Sequence, residues 1–262
     1  MSEDSPVLRE DVGAVCTLTL NRPEQRNAVN RTLFRAFRAH IRDIAANGDA
    51  IGLIVIRGAG SHFCAGHDLK EPPHADALGW LRQELLALES LTRLRQPVIA
   101  VVQGSCYTGG LEFALSADFI VAGHSARFAD THGKWGLVPG WGLSQRLPRR
   151  VGQAKALEMM LTCQPYTGEQ AAAMGLANMC VPDAELDGAV ARLGATILAN
   201  SRHSNAENKR LIYDTDGMTL PNGLNHELMR NAGFDPALQN RKKPLGERAG
   251  ATKSAPGNTE PT

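Results

Sequence analysis

Two glycine-rich segments decide the fold of this chain: residues 63–69 are FCAGHDL, and residues 104–112 are GSCYTGGLE. Each follows a continuous apolar run, residues 51–56 and 98–102, of the kind that forms a strand covered on both faces. Glycine lets a backbone N–H group approach a ligand without an intervening side chain. Two such turns, each after a buried strand, predict that N–H groups from two loops converge on one site.

Two N–H groups that point at one carbonyl oxygen form an oxyanion hole, which stabilises the negative charge of a transition state. The second segment also opens a predicted helix, whose N-terminus adds partial positive charge. Glycine-rich turns also occur as plain connections, and spacing alone leaves both interpretations open. Glu112 favours the functional one, because it lies three residues after Gly109, on the same helical face, within the apolar run LEFAL. A carboxylate there must find a partner, cap the helix or take part in chemistry.

The composition excludes several classes of protein. The chain has 262 residues, with 28 Lys and Arg against 27 Asp and Glu and a formal net charge of +1. This length suffices for one large domain, and 43% apolar with 21% charged residues excludes wholesale disorder. The near-neutral charge and the 5% aromatic content argue against a nucleic-acid partner or a membrane surface.

Cysteine usage and the N-terminus indicate the compartment. The five cysteines are far apart and form no C-x-x-C pair: Cys16, Cys64, Cys106, Cys163 and Cys180. We therefore expect free thiols in a reducing compartment and no zinc site. His62, His67 and Asp68 share a glycine-rich loop, and we interpret them as loop chemistry with no metal bound. The chain has no signal-peptide features and no apolar run long enough to span a membrane, which predicts a cytoplasmic protein.

Apolar periodicity divides the chain into two parts. In the first part, strands alternate with helices, as in an α/β domain. The predicted strands are residues 14–20, 51–56, 98–102, 119–122 and 126–128, and the predicted helices are residues 32–46, 78–94 and 111–117. After about residue 143 helices dominate, at 153–161, 168–174, 183–200, 204–213 and 222–232, with one strand at 178–181. From residue 239 onward the absence of periodicity is typical of a loose tail.

Beyond these segments, the chain resembles the crotonase superfamily, the enoyl-CoA hydratase/isomerase family. The matching text is LNRPEQRNA at 20–28, FCAGHDL at 63–69, QG at 103–104 with GGLE at 109–112, ADFIVA at 117–122, ARF at 126–128, GLVPG at 136–140, QRLP at 145–148, VG at 151–152 and AAAMGLA at 171–177. Order and spacing hold over roughly residues 10–200. The series is specific for the superfamily and much weaker for any single reaction within it.

The resemblance implies a fold, an assembly and a substrate. The fold would be an α/β spiral of ββα units with a helical C-terminal trimerisation region, and the assembly a homotrimer or a dimer of trimers. Residues 1–200 would form the core that carries the acyl-CoA site, residues 201–240 the oligomerisation region, and residues 241–262 a flexible tail. The substrate would be a coenzyme A thioester, with no metal and no separate cofactor.

The resemblance also assigns roles to single residues. The backbone N–H groups of His67 and Gly109 would hold the thioester oxygen, and Glu112 matches one of the two catalytic glutamates of classical hydratases. Arg26 matches a position that in relatives can meet coenzyme A phosphates, although a solvated arginine at a strand end is an equal alternative. The adenine and pantetheine path would follow one loop: Cys64, Ala65, Gly66, His67, Asp68 and Leu69.

One residue departs from the family pattern. The second classical glutamate falls on His132, which can hydrogen-bond a water or donate a proton when charged but cannot supply a second carboxylate. His132 is therefore a candidate catalytic residue or a residue that shapes the substrate site, with Asp130 and Thr131 as weaker substitutes. For Trp135 and Trp141 we favour packing over acyl contacts. For Lys209 a solvated helix face is favoured over a contact with coenzyme A phosphates.

The leading hypothesis is hydration of a trans-2-enoyl-CoA to a 3-hydroxyacyl-CoA through a thioester enolate, with Glu112 as general base. Double-bond isomerisation needs only one base and therefore suits the loss of the second glutamate; hydrolysis and decarboxylation are further reactions of the superfamily. A binding protein that retains the coenzyme A pocket without turnover is the alternative from another class. Acyl chain length, stereochemistry and the choice between trimer and hexamer do not follow from the sequence.

Overall fold

A computed structural model of the chain describes residues 5–72 and 75–235. The strands in these ranges are β1 (Val7–Val12), β2 (Val15–Leu20), β3 (Leu53–Gly58), β4 (Val98–Val102), β5 (Ser105–Tyr107), β6 (Phe119–Gly123), β7 (Arg127–Ala129), β8 (Tyr166–Thr167) and β9 (Met179–Val181). The α-helices there are α1 (Arg31–Asn47), α2 (Ala77–Arg93), α3 (Gly109–Leu115), α4 (Leu143–Val151), α5 (Gln153–Thr162), α6 (Gly168–Ala173), α7 (Leu186–Leu198), α8 (Arg202–Thr215) and α9 (Leu220–Met229).

The described strands form two sheets. The larger has six strands in the order β1-β2-β3-β4-β6-β9, and the smaller has the order β5-β7-β8. Strands β2, β3, β4, β6 and β9 are parallel to their neighbours, whereas β1 forms an antiparallel hairpin with β2. All five residues of β4 are buried, as the continuous apolar run at 98–102 predicts. The α/β class is therefore confirmed.

Apolar residues cover both faces of the larger sheet. In β3, Ile54 and Ile56 face one cluster, in which Phe37 of α1 contacts Phe113 of α3 with ring centroids 5.0 Å apart. Leu53 and Val55 face the second cluster, which α7 covers. This alternation follows from the two-residue period of a strand. The first cluster fixes α3, and α3 carries Glu112 into the site described below.

Several elements differ from the sequence expectation, and four were missed: β1, α4 and the short strands β5 and β8, which have three and two residues. Strand β1 was not predicted, because its residues are mostly charged or exposed beyond Val7; it is an edge strand, where charge is tolerated. Helix α4 was also missed, because it contains Pro148 and buries only Leu143 and Leu147. The predicted helix at 183–200 is a 3₁₀ turn followed by α7, and the predicted helix at 222–232 ends earlier, at Met229.

Two packing predictions also need correction. Of the two alternatives for these tryptophans, core or interface packing, Trp141 fits the core, whereas Trp135 is 62% exposed, so core packing is wrong for Trp135 and interface packing stays a prediction. Lys209 does not lie on a solvated helix face: its ammonium is buried and lies 2.9 Å from the carboxylate of Asp118. Burial lowers the pKa of Lys209, and the attraction of Asp118 opposes that effect. Lys209 is therefore half of a buried ion pair between α8 and the start of β6.

The division into residues 1–200, 201–240 and 241–262 stays a prediction, and the expected flexible tail lies outside the described residues. Helices α8 and α9 do follow the α/β core, as expected. Of the helices described, none has the length and apolarity that a membrane crossing requires. All five cysteines are free thiols. Burial raises the pKa of Cys64 to about 12, which makes this thiol a poor nucleophile.

Candidate active site

The two glycine-rich segments lie side by side. The amide of Cys64 donates to the carbonyl of Ser105 at 2.9 Å, and the amide of Tyr107 donates to the carbonyl of Cys64 at 3.0 Å. A Cβ at Gly110 would lie 2.2 Å from the Cys64 carbonyl oxygen, so glycine is required for this approach. The segments that sequence analysis singled out are thus one connected structure.

The backbone then presents two amides at this junction. The carbonyl of Gly66 accepts a hydrogen bond from the Val29 amide, and the amide of Asp68 donates to the Val29 carbonyl. The amide of His67, which lies between them, therefore faces away from Val29. Gly109 is the first residue of α3, whose first N–H groups have no acceptor within the helix. Within the described parts of the chain, neither amide donates to another protein group. Both residues line one cavity, and an oxyanion hole requires two such unpaired N–H donors.

The turn before α3 is held in an unusual conformation. Thr108 has φ +46° and ψ −113°, which L-residues rarely adopt. Gly66 has φ +101°, and a Cβ there would lie 1.9 Å from the Thr108 hydroxyl oxygen. Gly66 thus makes room for Thr108, and its role is to shape the two loops.

A cavity of about 460 Å³ opens next to these amides. Five of its lining residues also line a second cavity of about 520 Å³: His67, Asp68, Leu69, His132 and Leu137. The first cavity is otherwise walled by residues from α1, α2, α3 and the segments before α2 and α4: Arg31, Glu71, Pro72, Ala77, Trp80, Leu81, Glu84, Gly109, Glu112, Val138, Gly140 and Trp141. Because they share these residues, the two cavities are neighbouring parts of one site. The first is called the acyl-side cavity, and the second is called the outer cavity.

Glu112 is 2% exposed and lines the acyl-side cavity. Its Oε1 accepts hydrogen bonds from the amides of Trp141, at 2.7 Å, and Leu143, at 3.0 Å. Burial raises the pKa of Glu112, while these two amides and the nearby His132 lower it. Oε2 makes no hydrogen bond with any described residue, and it is not buried, so it can be reached from the cavity. The carboxylate is thus fixed through one oxygen and free to react through the other.

His132 also lines the cavity, and it is held by a buried carboxylate. Its Nδ1 lies 2.5 Å from Asp130 Oδ1, and its amide donates to the same oxygen at 3.1 Å. Asp130 is 1% exposed. A carboxylate that accepts from Nδ1 places the proton there and leaves Nε2 as the reactive nitrogen. The sequence named Asp130 only as a substitute for His132, whereas the structure makes it the partner that orients His132.

The predicted coenzyme A loop is divided by the structure. His67, Asp68 and Leu69 line both cavities, and Ala65 lines the outer one. Cys64 and Gly66 are buried behind the loop and line neither cavity, so their contribution is to loop geometry.

Arg26 is the last residue of the predicted set, and it lies outside both cavities. Arg26 is exposed with φ +52°, and its carbonyl accepts from the Ala65 amide. Its neighbour Gln25 lines the outer cavity, whereas Arg26 is absent from its lining among the residues described. Two other cations, Lys70 and Lys134, do line the outer cavity.

Sequence analysis missed Glu84 of α2, the second buried carboxyl group of the acyl-side cavity. Its Oε2 accepts from the indole N–H of Trp141 at 3.0 Å. Burial raises the pKa of Glu84 to about 7, against the opposing effect of the Trp141 and Trp80 indoles. A signal was present, since Glu84 shares the helical stripe of the buried Ala87, Leu88 and Leu91.

Comparisons with known proteins place this chain and its fold in a family. The sequence model of the enoyl-CoA hydratase/isomerase family matches residues 10–241. A relative described as a probable enoyl-CoA hydratase, from Rhizobium meliloti, is 37% identical over 225 residues, 84% of this chain and 86% of its own. Another, described as a probable peroxisomal enoyl-CoA hydratase 1, from Arabidopsis thaliana, is 30% identical over 88% of this chain and 86% of its own.

A solved structure agrees with these relatives. The crystal structure of an enoyl-CoA hydratase from Bacillus anthracis has a TM-score of 0.84 and 26% identity, and the match covers 92% of this chain and 98% of that one. The fold is therefore that of the crotonase superfamily. The chain belongs to its enoyl-CoA hydratase/isomerase family, and the match supports an enzyme of that superfamily. Among the described residues, no group of three or more His, Cys, Asp or Glu side chains is placed to hold a metal ion.

Proposed function

We propose that the protein hydrates a trans-2-enoyl-CoA to a 3-hydroxyacyl-CoA. The observation that carries this proposal is the presence, in the lining of one cavity, of Glu112, His132, His67 and Gly109, with His132 held from behind by the buried Asp130. Hydration requires a polarised thioester and two groups that hold one water molecule. The site supplies a carboxylate and an oriented imidazole in place of two carboxylates.

The proposed reaction begins with the thioester oxygen between the two amides. Water, held by Glu112 Oε2 and His132 Nε2, attacks Cβ while Glu112 takes one of its protons. The electron pair of the Cα–Cβ double bond moves toward the thioester, and the amides stabilise the resulting enolate. Glu112 then returns the proton to Cα. The sum is the addition of one water, and the reaction requires no metal or redox cofactor.

The two cavities suggest how the rest of the substrate is placed. The acyl group would lie in the acyl-side cavity, whose wall includes Leu81, Leu137 and Val138. The pantetheine arm and nucleotide of coenzyme A would follow the outer cavity, where Lys70 and Lys134 suit phosphate groups. We also propose a homotrimer or a dimer of trimers, because α8 and α9 expose several apolar side chains: Ile212, Leu220, Leu224, Leu228 and Met229. A cytoplasmic location stays a prediction.

The test is mass-resolved product analysis with crotonyl-CoA in deuterated water. The wild type should add one water and carry one deuterium at Cα, and Glu112→Gln should not. Glu10→Gln, at an exposed position of β1 remote from the cavities, is the matched control and should keep wild-type activity. Neither change should remove binding of the thioester.

Other outcomes would contradict the proposal in distinct ways. Deuterium exchange at Cα that depends on Glu112 but adds no water would favour the isomerase, since that reaction needs only one base. Saturable binding without product, for crotonyl-CoA and for longer enoyl-CoAs alike, would leave the non-catalytic binding protein.

A further inference from the structure

Glu84 is buried in the wall of the acyl-side cavity and takes no part in the proposed reaction. The residue is 2% exposed. Its Oε2 is occupied by the Trp141 indole, and its Oε1 is sealed from solvent without a hydrogen bond of normal geometry. Of these two oxygens, only Oε2 makes a hydrogen bond of normal geometry with a described residue, and its donor is Trp141. Trp141 is therefore the residue that joins Glu84 to the proposed machinery.

Trp141 contacts both halves of the proposed machinery. Its amide donates to Glu112 Oε1 at 2.7 Å and so fixes the general base. Its ring covers Gly109 so closely that a Cβ there would lie 2.4 Å from a ring carbon. The same ring lies 6.0 Å, between centroids, from the imidazole of His67. Trp141 thus contacts the base through its backbone amide and borders both residues that would supply the oxyanion amides through its ring.

A second observation separates this arrangement from ordinary packing. Glu84 occupies a stripe of α2 that otherwise packs apolar residues against the core. An apolar residue there would fill space without the cost of removing a carboxyl group from water. The indole N–H of Trp141 would then lose its acceptor and be left unsatisfied in the wall, and only packing would hold the ring. The carboxyl group therefore supplies something that packing alone does not, namely one fixed orientation of the Trp141 ring.

We infer that Glu84 is a positioning residue: by holding the Trp141 indole, it fixes the amide that orients Glu112 and the ring that covers Gly109. This inference rests on the proposed function for its effect on rate. It predicts that Glu84 acts on the chemical step and leaves substrate affinity nearly unchanged. It also predicts that an uncharged acceptor at this position suffices.

Four variants test this inference: Glu84→Gln, Glu84→Leu, Trp141→Phe and the double variant Glu84→Leu/Trp141→Phe. Glu84→Gln keeps an acceptor and should retain kcat within about threefold. Glu84→Leu should lower kcat by on the order of 10- to 100-fold with little change in KM, as expected for a misplaced reacting group. Because both single changes break the same contact, the double variant should be no slower than the slower single one.

Three outcomes would overturn the inference. Multiplicative losses in the double variant would mean that Glu84 does not act through the Trp141 indole. A rise in KM at constant kcat would mean that Glu84 shapes binding. Equal loss in Glu84→Gln and Glu84→Leu would mean that the charge, rather than the acceptor, is required. Thermal unfolding of each variant separates these results from a failure to fold.

A readout independent of turnover keeps the inference testable if the proposed reaction is wrong. The chain has three tryptophans, so ¹⁵N-tryptophan labelling gives three indole N–H signals, and Trp141→Phe assigns one of them. Glu84→Leu should shift both the indole and the backbone amide signals of Trp141, whereas Glu84→Gln should shift them less. An unchanged Trp141 amide in Glu84→Leu would refute the link to Glu112 whatever reaction the enzyme catalyses.

Discussion

The two buried carboxyl groups of the acyl-side cavity are held in different ways. Glu112 binds two backbone amides through one oxygen and turns the other toward the cavity. Glu84 binds one side-chain donor, and its second oxygen is sealed in the wall. Backbone amides have fixed positions, so Glu112 has the rigidity that a general base needs. Glu84 depends on a side chain that it also orients.

A third carboxylate, the half-buried Asp118, completes the comparison. Asp118 accepts from the Val98 amide at 2.7 Å and the Tyr213 hydroxyl at 2.9 Å, and it pairs with Lys209 at 2.9 Å. Its bonds join β4, β6 and α8, away from the residues that line the acyl-side cavity. A carboxylate whose partners are all protein groups stabilises the fold, whereas one that keeps a free oxygen in a cavity is available for chemistry. Each prediction below tests one of these assignments.

Glu112→Gln should give the largest effect. Loss of the general base should lower kcat by on the order of 10³-fold, within the range that general acid–base catalysis contributes. Affinity for a non-reactive acyl-CoA should hold, because Gln keeps the two amide contacts through its carbonyl oxygen. Rapid-quench kinetics and equilibrium binding on the same preparation measure the two quantities. A fall in kcat of less than tenfold would remove Glu112 from the role of base.

Lys209→Met should act on stability instead of rate. Removing one partner of a buried pair leaves the Asp118 carboxylate incompletely compensated, at a cost of about 3 kcal/mol in the free energy of unfolding. The value of kcat should stay within about threefold. Lys155→Met is the control, because Lys155 pairs with Glu158 on the surface, where such pairs contribute about 1 kcal/mol or less. Urea unfolding gives the comparison, and equal losses in the two variants would contradict it.

The fold was predictable where one segment carries its own signal. The predicted strand at 98–102 has the same first and last residues as β4. The predicted helix at 32–46 is one residue shorter at each end than α1, which begins after the N-cap Asn30, whose side chain accepts from the Leu33 amide. Strand β1 and helix α4 depend on neighbours. The first is an edge strand that exists through its pairing with β2, and the second is a polar helix interrupted by proline.

The same distinction applies to the site. Gly109 and Glu112 lie within one short stretch, so sequence alone could relate them, and the turn at 63–69 shares with that stretch the pattern of a glycine-rich segment after a buried strand. Glu84 meets Trp141 across 57 residues, and sequence could show only that a glutamate occupies the buried stripe of α2. Asp130 is two residues from His132, yet its role depends on a bond between their side chains. Sequence can predict which groups are available, but their pairing across elements requires the fold.

Asp130→Asn tests whether the imidazole of His132 needs its carboxylate. An amide cannot hold the Nδ1 proton as a carboxylate does, so the Nε2 lone pair would no longer be reliably aimed into the cavity. We expect hydration of crotonyl-CoA to fall by about 10²-fold in kcat, whereas Glu112-dependent deuterium exchange at Cα of a saturated acyl-CoA, which adds no water, should fall much less. His132→Asn should show the same split. Equal loss of hydration and exchange in both variants would mean that the Asp130–His132 pair stabilises the structure of the site and does not position the attacking water.

The pH dependence of stability gives the smallest effect and separates Glu84 from Glu112. Glu84 titrates at about 7 in the folded protein, above its ordinary value of 4.5. The native state therefore binds more protons than the unfolded chain between these values, and stability falls as pH rises through that window. The charged and polar groups that act on Glu84 are Trp141, Trp80, Glu71 and Arg31.

Glu84→Gln removes this titration and leaves that of Glu112 unchanged, so the variant isolates the contribution of Glu84. Between pH 5 and pH 8, the wild type should lose on the order of 2 kcal/mol of unfolding free energy relative to Glu84→Gln. Urea unfolding of both proteins at several pH values measures the difference. A constant difference across this range would mean that Glu84 titrates in the folded protein as it does in water. The contrast between a carboxylate fixed by the backbone and one kept neutral by the wall would then fail.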